Sequence, residues 1–165
     1  MAFTLLPLLL CSGLVLVMST CPSEWVEYDG ECLYFSPHAM EWHAAENDCR
    51  NRPTGSYLVT DDNQEKHDFI KMYINIFNAW HNAHFWTGGS DFIIENNWRW
   101  VETGVSIGST TYWGQGQPDG NSSANCVAFH MNSDNDLVWK DDRCSHKYNF
   151  ICEQRATDVT NGVIG

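Results

Sequence analysis

Seven cysteines in 165 residues constrain this chain more than any other feature. Cytosolic thiols stay reduced whereas exported domains pair theirs, so an odd count needs a reason. The reason lies at the N-terminus. Residues 1–20, MAFTLLPLLLCSGLVLVMST, carry no charged side chain and a dense Leu/Val run, which reads as a secretory signal peptide. A membrane anchor wants about 20 unbroken apolar residues and a basic flank. Here Pro7, Ser12, Gly13, Ser19 and Thr20 interrupt the run, and no Lys or Arg occurs before Arg50. Cleavage near residue 20 discards Cys11 and leaves Cys21, Cys32, Cys49, Cys126, Cys144 and Cys152. Six cysteines in an exported domain mean three disulfides, with every connectivity still open. The expectation is a secreted, extracellular protein with no membrane insertion.

The length suits one domain and leaves no room for a second full-sized core. With 21 acidic residues against 9 basic ones and a net charge of −12, a phosphate-gripping surface is excluded as the working reading, so nucleic acid is not the expected partner. An anionic membrane surface is disfavoured for the same reason.

Along the mature chain, Trp25 to Phe35 holds two aromatic-rich runs around Asp29-Gly30, a hairpin signal. Ser36-Pro37 offers an N-cap and a first-turn proline for a helix reaching about Arg50, with Met40, His43, Ala44 and Cys49 at helical spacing. Asp62 and Glu65 form a capping-box pattern for a second helix to about Ala79, with Phe69, Met72, Tyr73, Ile76 and Phe77 as its apolar face. Short aromatic runs then follow at Phe85-Trp86, Trp98–Val101, Cys126–His130, Leu137–Lys140 and Tyr148–Cys152 and read as strands. Between Val101 and Cys126 lies a long polar stretch, of a length usually reserved for function. Residues 155–165 show no periodicity and read as a flexible tail. Two helices followed by short strands predict an α+β domain over 21–154.

The ordered set of motifs resembles the C-type lectin-like domain. It comprises Cys21…Cys32, Glu46-Asn47-Asp48-Cys49, Phe85-Trp86-Thr87-Gly88-Gly89, Trp98-Arg99-Trp100, Tyr112-Trp113-Gly114, Asn125-Cys126-Val127, Trp139-Lys140-Asp141 and Phe150-Ile151-Cys152-Glu153. The resemblance implies that fold, with two helices, small antiparallel sheets and a long binding loop. It also implies the pairs Cys21–Cys32, Cys49–Cys152 and Cys126–Cys144.

In lectins of this family a triplet like Gln117-Pro118-Asp119, with a cis proline, aims two oxygen-bearing side chains at one Ca²⁺, which in turn holds two sugar hydroxyls. The Gln…Asp order is the one associated with galactose and N-acetylgalactosamine. Asp141 matches a downstream calcium ligand. The resemblance therefore names Gln117, Asp119 and Asp141 as calcium ligands. Gln117, Asp119, Asn125, Lys140, Asp141 and Trp113 are the carbohydrate-binding set. Glycans of glycoproteins or microbial surfaces are the implied partners, and innate pattern recognition the implied biology. No stalk or coiled coil is evident, so multivalency would come from a homodimer.

Three departures accompany these matches. Lys140 stands where the family has a neutral oxygen ligand, and an ammonium has no lone pair to give a cation. Ala124 replaces an acidic residue, and the sugar-stacking aromatic of galactose-type sites is not evident between Gly120 and Asn125. Two routes follow: calcium-dependent galactoside binding, or calcium-free binding in which Lys140 neutralises Asp119 and Asp141. The alternative class is a calcium-independent, protein-binding domain. No nucleophile, base and orienting group stand at catalytic spacing, so an enzyme is not expected. Asp91 and Glu95 match two ligands of an auxiliary calcium site whose other acids are missing, and read as a solvated turn. Asn121-Ser122-Ser123 is a glycosylation sequon beside the loop.

Overall fold

The computed structural model describes residues 18–52, 55–77, 80, 82–108, 110–120 and 122–159. Strand β1 (Met18–Thr20) leads into the hairpin β2 (Val26–Tyr28) and β3 (Glu31–Phe35). Asp29 and Gly30 both take positive φ, 43° and 77°, as a two-residue hairpin turn requires. Helix α1 (Trp42–Arg50), strand β4 (Tyr57–Leu58) and helix α2 (Gln64–Ile76) follow, then β5 (Phe85–Ser90) and β6 (Arg99–Trp100). After the long polar stretch come β7 (Cys126–Met131), β8 (Leu137–Asp142), β9 (Asn149–Arg155) and β10 (Thr157–Val159). No described helix is long and apolar enough to cross a membrane.

One sheet runs through the molecule in the order β2-β3-β9-β5-β7-β8, with β4 on β9 and β6 on β5. Its pairs are antiparallel except β5 with β9. That parallel contact fuses what the sequence suggested as small antiparallel sheets into one mixed sheet. The three disulfides are Cys21–Cys32, Cys49–Cys152 and Cys126–Cys144, the pairing that the resemblance implies. The longest closure, Cys49–Cys152, ties the end of α1 to β9 across 103 residues.

Both helices depart from their sequence reading. Helix α1 begins at Trp42, not after Ser36-Pro37, and its N-cap Glu41 makes no side-chain cap bond. The Ser36 hydroxyl instead accepts the His38 N–H at 3.1 Å, forming a local turn. The buried face is Trp42, Ala45 and Cys49, while His43 and Ala44 are exposed. For α2 the cap is Asn63, whose Oδ1 accepts the Lys66 N–H at 2.8 Å; Asp62 lies outside. Of the expected apolar face, Phe69 and Tyr73 pack partly buried against the core, whereas Met72, Ile76 and Phe77 are exposed; the helix also buries Lys66, His67, Ile70 and Ile74. The side facing the sheet is amphipathic because buried charges are paired there. The Lys66 ammonium lies 2.7 Å from Glu31 and 3.2 Å from the fully buried Glu153. Pairing of this kind is what a buried charge demands.

Residues 155–159, expected as frayed tail, are paired. Arg155 ends β9, and Thr157–Val159 pairs with Met18–Thr20. The register sets Met18 opposite Val159 and Thr20 opposite Thr157.

Candidate functional site

Strand β8 sets the site by alternation. Leu137, Trp139 and Asp141 point into the structure, whereas Val138, Lys140 and Asp142 lie on the other face and are only partly buried. Trp139 is wholly buried, and its indole N–H donates to Asp61 Oδ2 at 2.7 Å. The same oxygen lies 2.7 Å from His67 Nδ1, while His67 Nε2 lies 2.9 Å from the Leu137 carbonyl. A carbonyl can only accept, so Nε2 carries its hydrogen. Burial pushes the Asp61 carboxyl up, opposed by its bonds from His67 and Trp139. The His67 ring also stacks on Tyr112 at 3.8 Å between centroids. Helix α2, β8 and the start of the long loop are thereby fastened to one another.

The loop then returns over Asp141. Gln117-Pro118 is a cis peptide. Asp141 is 4% exposed; its Oδ1 accepts the Asp119 N–H at 3.0 Å and its Oδ2 accepts the Gly120 N–H at 2.7 Å. In return, Gln117 Oε1 accepts the Asp141 N–H at 3.0 Å. A side chain at position 120 would overlap Asp141 Oδ2 and Ala124 Cβ, so only glycine lets the backbone come this close. The Gln117–Asp119–Asp141 set named from the motif is therefore one hydrogen-bonded unit, with the Asp119 residue exposed at its rim.

The other named residues separate from it. Lys140 does not neutralise Asp119 or Asp141. Its Nζ lies 2.9 Å from Asp142 Oδ2, because neighbouring strand residues face opposite ways. Asn125 donates from Nδ2 to the Ser122 carbonyl at 3.4 Å, and its Oδ1 is buried without a hydrogen-bond partner. Trp113 is half-buried, with its ring edge-on to Trp98 at 5.1 Å and to Trp139 at 5.5 Å. It thus packs beneath the loop as the rim of the core. Asp91, read as part of a solvated turn, is 4% exposed and accepts the Asn96 N–H at 2.9 Å, whereas Glu95 is exposed. Asn121 lies outside the described residues.

Sequence reasoning missed the cluster on the outer face. The Tyr148 hydroxyl donates to Asp142 Oδ2 at 2.6 Å, and His146 Nδ1 lies 2.9 Å from Asp142 Oδ1. His84 stacks between His130 at 4.7 Å and Tyr148 at 4.5 Å. Burial, then the neighbouring His130 and Lys140, push the His84 imidazole down to about 4. Burial and Lys140 also lower His130. Burial works to raise the Asp142 carboxyl, but the bonds from Tyr148 and Lys140 outweigh it and hold the group low. The one available signal was the spacing of Lys140 and Asp142, two apart and so on one strand face.

Calcium takes about 6–8 oxygen ligands. Of the ligands that the resemblance implies, three oxygen-bearing side chains remain, Gln117, Asp119 and Asp141, and those of Gln117 and Asp141 already accept backbone N–H groups. Ala124 and Lys140 add no oxygen, and no grouping of three His, Cys, Asp or Glu side chains suited to a metal exists among the described residues. The residues present do not fit a complete calcium shell.

With fold and loop in place, the chain shows its class: it belongs to the lectin C-type domain family, whose model matches residues 38–154. Among curated proteins it is similar to CD209 antigen-like protein 2 of Macaca mulatta, at 30% identity over 141 residues. That match covers 85% of this chain and 51% of the relative, so the chain spans about half the relative's length. Among solved structures, the mouse scavenger receptor C-type lectin carbohydrate-recognition domain superposes with a TM-score of 0.71 at 25% identity, covering 84% of this chain and 100% of that one. A calcium-independent type II antifreeze protein gives 0.71 at 26% identity, covering 85% and 98%.

Proposed function

We propose that this domain is a secreted carbohydrate-binding lectin whose binding loop is held by hydrogen bonds and works without calcium. The observation that carries the reading is the clamp of Asp141 on the Asp119 and Gly120 N–H groups, closed by Gln117 on the Asp141 N–H. It holds the triplet in one shape through the protein's own groups. The exposed Asp119 carboxylate accepts hydrogen bonds from sugar hydroxyls, and the Gln117 amide nitrogen is suited to donate one. The order Gln117…Asp119 favours galactose or N-acetylgalactosamine. Similarity to a carbohydrate-recognition domain and to a calcium-independent member of the fold supports both halves of the proposal. Recognition of microbial or glycoprotein glycans, with avidity supplied by a homodimer, is the biology that fits such a domain.

Isothermal titration with galactose and N-acetylgalactosamine, run once with calcium and once with chelator, tests this. Equal binding in both buffers is expected. Binding only with calcium overturns the calcium-free loop. Binding in neither turns attention to a protein ligand, a reading favoured by the exposed apolar turn Phe92-Ile93-Ile94, where Ile93 is 84% exposed.

A further inference from the structure

The outer face of the sheet carries a cavity of about 410 Å³ that the loop alone does not account for. Such a volume falls within the range of small-ligand sites. Gly114, Gln115 and Gln117 form one wall, and Asn132, Ser133 and Asp134, in the turn between β7 and β8, form the other. Val138, Lys140, His130 and His84 complete the lining. Gln117 thus belongs both to the clamp over Asp141 and to this cavity.

Both walls are fixed before any ligand arrives. The Gly114 N–H donates to the Trp139 carbonyl and the Gln117 N–H to the Gly114 carbonyl, each at 2.9 Å. Across the cavity, Asn132 Oδ1 accepts the N–H groups of Asp134 and Asp136 at 3.0 and 2.8 Å, and the Asn132 N–H donates to the Asp136 carbonyl at 2.9 Å. Preformed walls lower the ordering cost of binding.

The chemistry of the lining selects the ligand. The one ammonium, Lys140, is matched by Asp142 at 2.9 Å. His84 and His130 are pushed towards their neutral forms, and the exposed Asp134 adds negative charge at the rim. Nothing here draws in a sulfate, phosphate or carboxylate. The surface is instead one of amides, a hydroxyl and imidazoles, which suits a ligand dense in hydroxyl groups. His84 and His130 each keep a buried Nδ1 with no hydrogen-bond partner, an unmet polar need on this side of the sheet.

We propose that this cavity is a second subsite that takes a neutral hexose or N-acetylhexosamine residue, so that the domain reads an oligosaccharide rather than a single sugar. The inference rests on the lectin reading above and places the first sugar at Gln117 and Asp119. Calorimetric titrations should compare galactose, lactose, N-acetyllactosamine and sialylated lactose. For the natural sequence, the neutral disaccharides should bind about tenfold more tightly than galactose, and the sialylated sugar should show no gain over lactose. Ser133→Trp, at an exposed turn position, fills the cavity mouth and should bring the disaccharide-to-galactose ratio close to one; Gln115→Ala should reduce the same ratio. Galactose binding with no gain for either disaccharide overturns the subsite and leaves the lectin reading standing. A gain that survives Ser133→Trp also overturns it. Binding of no sugar by the folded protein overturns the lectin reading and the subsite together.

Discussion

On the inner face of β8, Asp141 spends both carboxylate oxygens on backbone N–H groups of the loop; one residue along, on the outer face, Asp142 spends its own on the side chains of Lys140, Tyr148 and His146. Backbone partners are fixed by the chain path and cannot titrate away. Side-chain partners can rotate away. The inner face therefore makes one rigid loop shape, while the outer face makes a polar surface whose balance depends on conditions.

The sharpest way to break this contrast is Asp141→Ala. Two backbone donors would lose their acceptor at a part-buried position, at a cost of about 2 kcal/mol in urea denaturation, and galactose binding should be lost in titration. A loss below about 1 kcal/mol would mean that the loop holds itself without the clamp. Gly120→Ala comes next. The added methyl collides with Asp141 Oδ2 and Ala124, so a loss of about 2 kcal/mol is expected, with weakened but measurable sugar binding.

The outer face should reveal itself through pH. The His84 imidazole titrates near 4 in the folded protein against 6.5 when unfolded, so the unfolded chain binds more protons between those values. Stability should thus be unaffected by His84 above pH 6.5 and fall as pH drops from 6.5 towards 4. The groups facing that ring are His130, Lys140, Asp142, His146 and Tyr148. Denaturation curves at pH 7 and pH 5 should show the decline, and His84→Phe should flatten it. A decline of the same size in His84→Phe would assign it to another group. The smallest effect is expected for Lys140→Ala. Its pair with Asp142 is about one-third exposed on the lysine side, and such pairs contribute less than about 1 kcal/mol. A larger loss would show that Lys140 props the cavity wall.

The hairpin at Asp29-Gly30 and the aromatic strands were legible because their signals are local, whereas β1, β4 and β10, which carry no such run, were not. The helices were legible as helices but only partly by face: Cys49, Phe69 and Tyr73 do meet the core. Met72, Ile76 and Phe77 look like a core stripe, yet the sheet meets Lys66, His67, Ile70 and Ile74 instead. Nothing local reveals that Lys66 has Glu31 and Glu153 waiting for it, since Glu153 lies 87 residues away. The same holds at the site. Gln117, Asp119 and Asp141 could be named from their motif, but Lys140 was placed on the wrong partner and His84, His130 and Tyr148 were not seen as a cluster.

By itself the sequence determined the cysteine pattern and the α+β class, which rest on residue type and spacing along the chain, and through its family resemblance it named the residues of the loop motif. Only the tertiary structure decided what Asp141 and Lys140 do. Two adjacent residues of one strand must face opposite ways, and which side meets the loop depends on where Trp139 holds its returning backbone, accepting from the Gly114 N–H and donating to the Tyr112 carbonyl.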